Sequence, residues 1–136
     1  MSVRPSAIFL WDNSASTLTD YTDNVRNNST ITLALTDVND FFVIGLDRRF
    51  WGILANLSIN GSYSGFRWEY YNGAWEYLDL ITAYDFSNSR YSDWVVKDDW
   101  SRIGAKTSEN GGFVDSGGSA APVTVPDTRD RFWIRI

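Results

Sequence analysis

Short apolar runs closed by clusters of Asn, Asp, Gly and Ser recur about every 8–12 residues along this 136-residue chain, and that rhythm dictates β structure. Residues 7–11 form an apolar run ended by Asp12-Asn13-Ser14, and residues 17–21 offer a weaker second strand. Residues 23–29 hold four Asn or Asp and read as a loop. Over residues 30–36, Ile31, Leu33 and Leu35 alternate with Thr30, Thr32, Ala34 and Thr36, the pattern of a half-buried strand. Phe41–Leu46 is apolar without a break, as a strand buried on both faces would be. Residues 50–59 put Ile53, Ala55, Leu57 and Ile59 on one face, opposite Leu54, Asn56, Ser58 and Asn60. A helix competes over residues 48–57, but the alternation and the missing caps favour a strand.

The clearest local signal is a hairpin. Residues 66–71 meet residues 74–78 across Asn72-Gly73, a pair that favours a two-residue type I′ turn because both residues tolerate positive φ. A two-residue loop places Tyr70 opposite Trp75 and Trp68 opposite Tyr77, making an aromatic ladder on one side worth roughly 0.2–1 kcal/mol per pair. Glu69 then faces Glu76, with Arg67 on the diagonal to relieve the repulsion. Trp75 in such a ladder is expected to be a buried core residue. Further strands are expected at residues 91–96 and 131–136, with a turn or short helical corner at Lys97-Asp98-Asp99-Trp100.

Residues 104–128 differ from the rest. They carry five Gly, two Pro, no Trp or Tyr, and a single aromatic, Phe113. A stretch of that composition inside a domain reads as a functional or disordered loop. Its Pro122-Val123-Thr124-Val125-Pro126 core, a β-prone run between prolines, is suited to adding to the sheet edge of a partner. This loop and the arm at residues 1–6 are therefore expected to make the partner contacts. The total is eight or nine short, mostly antiparallel strands in a single domain spanning residues 1–136. The expected fold is all-β, a jelly-roll-like β-sandwich.

Composition limits the chemistry. The chain has no His and no Cys, which removes triads, imidazole metal sites, disulfides and thiolate chemistry. Its 12 Lys plus Arg against 17 Asp plus Glu give a net charge of −5, the wrong sign for a nucleic-acid surface. No apolar run is long enough to span a membrane, and residues 1–6 lack the apolar stretch of a signal peptide. A chain made in a cytoplasm is the expectation. The Asn28-Ser29-Thr30, Asn56-Leu57-Ser58 and Asn60-Gly61-Ser62 triplets then carry no glycan.

Several residues invite a chemical reading, and each has a structural one that fits better. Glu69 and Glu76 have the spacing of a glycosidase pair, but any cross-strand neighbours do. Asp37, Asn39 and Asp40, or Asp98 and Asp99, bear calcium-type oxygens, yet stand where turns want Asp and Asn anyway. The 16% aromatic content could build a sugar platform, but a small β domain needs such rings to fill its middle. Arg131, Trp133 and Arg135 share one strand face and can stack as cation–π partners. No catalytic, metal or cofactor residue is assigned.

One resemblance adds to this. The run Phe41-Phe42-Val43-Ile44-Gly45 with residues 50–58, the Trp68-Glu69-Tyr70-Tyr71-Asn72-Gly73-Ala74-Trp75 hairpin, the Asp99-Trp100 corner and the closing Phe132-Trp133-Ile134-Arg135-Ile136 strand resemble, in that order, a β module of tailed-phage virion proteins. The similarity covers about residues 40–136. The corner lacks the family's preceding Pro, Phe132 stands where Tyr is common, and the 104–128 loop is long. The resemblance implies a non-enzymatic structural role in the virion. A capsid decoration or cement protein contacting the major capsid protein and copies of itself fits this size best. A tail or baseplate module is the alternative, and a carbohydrate-binding sandwich the reading from another class. The implied location is the virion, after synthesis in the host cytoplasm. Neither nucleic acid nor membrane is a partner in this reading.

Overall fold

The unbroken apolar run Phe41–Leu46 forms β3, and it lies inside a sheet, as its lack of a polar face requires. The structure is a computed structural model that describes residues 4–15, 17–37, 40–61, 66–82, 84, 86–103 and 130–136. Among them are β1 (Ala7–Asp12), β2 (Thr17–Asp20), β4 (Gly52–Ala55), β5 (Glu69–Tyr71) and β6 (Trp75–Tyr77). β7 (Arg90–Asp93), β8 (Arg102–Ile103), β9 (Arg131–Arg135) and one short helix, α1 (Thr22–Arg26), complete the elements. Seven strands make one sheet in the order β2-β1-β3-β9-β5-β6, with β8 paired to β9 beyond the end of β5. β4 and β7 make a second sheet. Every pairing is antiparallel, so the fold is all-β as the alternating runs require.

The large sheet is apolar on both sides. Ile8, Leu10, Phe42, Ile44, Ile134 and Ile136 join Phe50, Trp68, Trp94 and Trp100 in the main core, with Ile53 and Ala55 of β4 packed against it. Ala7, Phe9, Trp11, Val43, Tyr71 and Trp133 form a second cluster on the opposite side. Gly45 opposes Trp133 in the ladder, and a Cβ there would stand 2.5 Å from the indole ring. The ring takes the space that a side chain at residue 45 would need.

Three expectations are corrected. Residues 23–29 include a helical turn rather than loop alone. Asp20 Oδ1 accepts the Thr22 N–H at 2.9 Å, and Thr22 Oγ1 accepts the Ile8 N–H at 3.1 Å, so the turn is pinned to β1 by side chains that also suit loops. Residues 30–36 belong to no strand. Ile31, Leu33 and Leu35 still pack against the main core while their neighbours are exposed, so burial alternates without membership of a sheet. The strand expected over residues 50–59 covers only Gly52–Ala55, because β7 pairs no further than Arg90, and Ile59 stands exposed.

Asp40 organises the loops at one end. Its Oδ1 accepts the Asn13 N–H at 2.9 Å, and its Oδ2 accepts those of Thr36 and Asp37 at 2.8 Å. Residues 4–6 of the N-terminal arm are tied to their own domain. The Arg4 guanidinium donates to Arg26 O and to Asn28 Oδ1, and Ser6 N–H donates to Gly45 O at 2.9 Å. Residues 1–3 and the loop at residues 104–128 lie outside the described residues.

Candidate functional site

The hairpin forms in a different register. Tyr71 pairs with Trp75, Tyr70 with Glu76 and Glu69 with Tyr77, so the loop holds three residues rather than two. Because side chains alternate with period two, this single-residue slip splits the expected ladder between the faces. Trp68 and Tyr70 enter the main core, whereas Trp75 packs against the second cluster, half-buried, and Tyr77 is 56% exposed. A sugar platform built from these four rings therefore does not exist. Glu69 and Glu76 likewise fall on opposite faces. Glu69 is buried and bound by Arg135 and, at 2.8 Å, by Arg67.

The cause lies in Asn72. A type I′ turn asks positive φ of both central residues, but only Gly73 adopts it, at +115°. Asn72 is engaged elsewhere. Its Nδ2 donates to Asp99 Oδ2 at 2.8 Å and its Oδ1 accepts the Ala74 N–H at 3.3 Å. The Tyr70 hydroxyl donates to the same Asp99 carboxylate at 3.0 Å. These two bonds hold Asp99 below the usual carboxylate range. Burial, then the bond to Asp99, pushes the Tyr70 hydroxyl above its ordinary value, so it stays a donor. Beside it, Trp100 Nε1 donates to Trp133 O at 3.1 Å, and Ser101 N–H donates to Tyr71 O at 2.9 Å. The hairpin, the Asp-Trp corner and the closing strand thus interlock into one structural unit.

That unit consumes the groups that invited a chemical reading. Asp99 serves Tyr70 and Asn72, and Asp40 serves three backbone amides; Asn39 lies outside the described residues. Among the described residues no group of three or more acidic side chains is placed to hold a metal ion. The cation–π reading of the closing strand holds in part. Arg131 lies over the Trp133 ring at 5.8 Å, but Arg135 is sandwiched between Phe41 at 4.3 Å and Trp75 at 4.6 Å. No described helix is long and apolar enough to cross a membrane.

The surface feature left over lies on the small sheet. β4 and β7 turn Ile53, Ala55, Ser92 and Trp94 inward. The opposite positions, Leu54 and Tyr91, pair directly with each other on the outside, as do Gly52 and Asp93. The Leu80–Trp94 bridge, with Ile81 N–H donating to Asp93 O at 2.8 Å, extends this layer and points Asp79, Ile81 and Val95 outward too. Leu54, Ile81 and Val95 are all well exposed, Trp51 is 62% exposed, and the rings of Trp51 and Tyr91 meet edge to face at 5.7 Å. Gly52 makes room for Tyr91, whose hydroxyl would stand 2.8 Å from a Cβ there. Asp93 Oδ1 is shut off from water and has no hydrogen-bond partner. Partial burial, then the Asp93 charge, pushes the Tyr91 hydroxyl above its ordinary value. The sequence shows Leu54 opposite the core face of its own strand, but not that residues 79–81 and 91–95 come to lie beside it.

Compared with known proteins, the chain matches no family model, no curated protein and no solved structure.

Proposed function

We propose that this chain is a non-enzymatic structural protein of a tailed-phage virion, a capsid decoration or cement protein that bridges neighbouring capsomers. The observation that carries the reading is the outer face of the β4–β7 sheet. Trp51, Leu54, Ile81, Tyr91 and Val95 are large apolar side chains gathered on one exposed surface, while most of the other described rings serve the core. Contiguous exposed apolar area of this kind marks a contact surface. A cement protein holds its shell by many such contacts repeated over copies, so each can be modest. The interlocked hairpin, corner and closing strand support the reading from another side, since the motifs of the resemblance make one rigid frame rather than a pocket. The two sheets sharing one core support the jelly-roll-like sandwich that the resemblance implies. In this role the partners are the major capsid protein and further copies of the chain, in a particle assembled in the host cytoplasm.

Purified virions of the phage that encodes the chain decide the question. Quantitative mass spectrometry is expected to find hundreds of copies per particle. A handful of copies would move the protein to the tail or baseplate, and its absence from the particle would overturn the virion reading.

A further inference from the structure

The exposed face also constrains the chemistry of what it meets. Besides five large apolar side chains it carries two carboxylates, Asp79 and Asp93, and neither makes an ion pair among the described residues. Asp93 is the more demanding. It is half-buried beside Tyr91, with one oxygen closed off from solvent and the carboxylate's charge felt by the Tyr91 hydroxyl. Two carboxylates with no ion pair among the described residues give this face a negative potential, which favours a partner that brings a positive charge. The exposed indole of Trp51 offers a cation a π face within the same patch.

Three other occupants fit less well. A second copy seated by a two-fold axis would bring Asp79 and Asp93 against their own equivalents, which is repulsive. A glycan stacks on a ring but needs several polar partners around it, and here the ring is flanked by Leu54, Ile81 and Val95. An anionic lipid surface would be repelled by both carboxylates. The apolar part is on the order of several hundred Å², the scale of a functional surface patch.

We propose that the outer face of the β4–β7 sheet docks a protein partner that presents an arginine or lysine among aliphatic side chains, the aliphatic part resting on Leu54, Tyr91 and Val95 and the cation on Asp93 and the Trp51 ring. The inference rests on the reading of this face as the contact surface, and it adds the sign and the kind of the partner. It places the specificity of docking in Asp93 and most of its area in the rings.

The test uses the full chain, labelled with 15N, titrated in turn with three probes. They are the peptide acetyl-Leu-Arg-Leu-Arg-Leu-amide, the same peptide with Glu in place of Arg, and a hexasaccharide of β-1,4-linked glucose. The arginine peptide is expected to shift the Trp51 indole signal and the amides of Leu54, Tyr91 and Asp93, and the other two probes to leave them in place. Asp93→Asn and Trp51→Ala are each expected to weaken the arginine peptide by about tenfold or more, with the rest of the spectrum unchanged. Silence with the arginine peptide, equal shifts with the glutamate peptide, or shifts with the saccharide instead would each overturn the proposal. So would a concentration-dependent dimer whose contacts map to these residues. Because the virion reading is decided by copies per particle, silence in the titration with abundant copies removes only this inference. Specific shifts with no copies in the particle remove only the virion role.

Discussion

The corner around Trp100 and the outer face around Trp51 use the same kinds of residue to opposite ends. At the corner, Asp99 has two donors, Trp100 is 2% exposed with its Nε1 hydrogen bonded, and every partner lies on a different stretch of chain. On the outer face, the rings of Trp51 and Tyr91 touch mainly each other, and the neighbouring Asp93 has an oxygen with no partner. The first arrangement is closed within the domain; the second leaves its apolar area open at the surface. Aromatic content alone, therefore, does not separate a core from a contact surface. What separates them is enclosure: the Trp100 ring is packed by Phe50, Tyr70 and Phe132, whereas the Trp51 ring meets Tyr91 at the surface.

Trp100→Ala should give the largest effect, a loss of about 3–5 kcal/mol in urea unfolding, because it empties a core site and removes the indole donor to Trp133 O. That is a large part of the ~5–15 kcal/mol such a domain holds. Trp75→Ala, being half-buried rather than the core residue the hairpin pattern suggests, should fall clearly below it. Gly45→Ala comes next, at about 1–3 kcal/mol, since the added Cβ meets the fully buried Trp133 ring, which has nowhere to move. Asp40→Ala leaves three backbone amides without their acceptor and should be destabilising by about 1–3 kcal/mol, read as a lower Tm.

Acid should act through Asp99 and Asp12, both held below the ordinary carboxylate value by hydrogen bonds. A carboxylate depressed in the folded state stabilises fully above its unfolded pKa, and that stabilisation disappears as pH falls through the folded one. Tm should therefore decline below about pH 4, and Asp99→Asn should make that decline shallower. Trp51→Ala marks the other end of the scale. Its stability should stay within about 0.5 kcal/mol of the parent, the usual range for surface changes. A loss as large as that of Trp100→Ala would show that the outer face belongs to the core and not to a partner.

Much of the framework was legible in the sequence because burial in strands leaves a period of two. Phe41–Leu46, the strand at Ala7–Asp12 and the closing strand at Arg131–Arg135 lie where their apolar patterns put them. The hairpin was legible as a hairpin, but its register was not. The Asn-Gly pair favours a two-residue turn locally, and the competing demand on Asn72 comes from Asp99, which is near only after folding. The Thr22–Arg26 turn was hidden for a similar reason: Asp20 and Thr22 read as loop residues until the Ile8 N–H arrives to donate to Thr22 Oγ1. Residues 30–36 show the converse, since alternating burial is readable and sheet membership is not. The outer face was missed because a lone Leu or Trp on a strand says nothing until its neighbours from 79–81 and 91–95 are placed beside it.

The position of β9 has a consequence for how the domain is assembled. It is the strand that joins two otherwise separate parts, pairing residue 43 with residue 135 on one edge and residue 70 with residue 134 on the other. Until residue 135 has been made and has threaded between them, β3 and β5 have no ladder to share. Before then the β2-β1-β3 strands can form only a three-stranded sheet with an open edge, and β5–β6 only an isolated hairpin of marginal stability. A topology closed by pairings this distant in sequence folds late and slowly, in roughly milliseconds to seconds rather than microseconds. For a nascent chain this means that a ribosome releases the central strand after nearly everything it must hold together, and the exposed edges of β3 and β5 must stay unpaired with strangers until then.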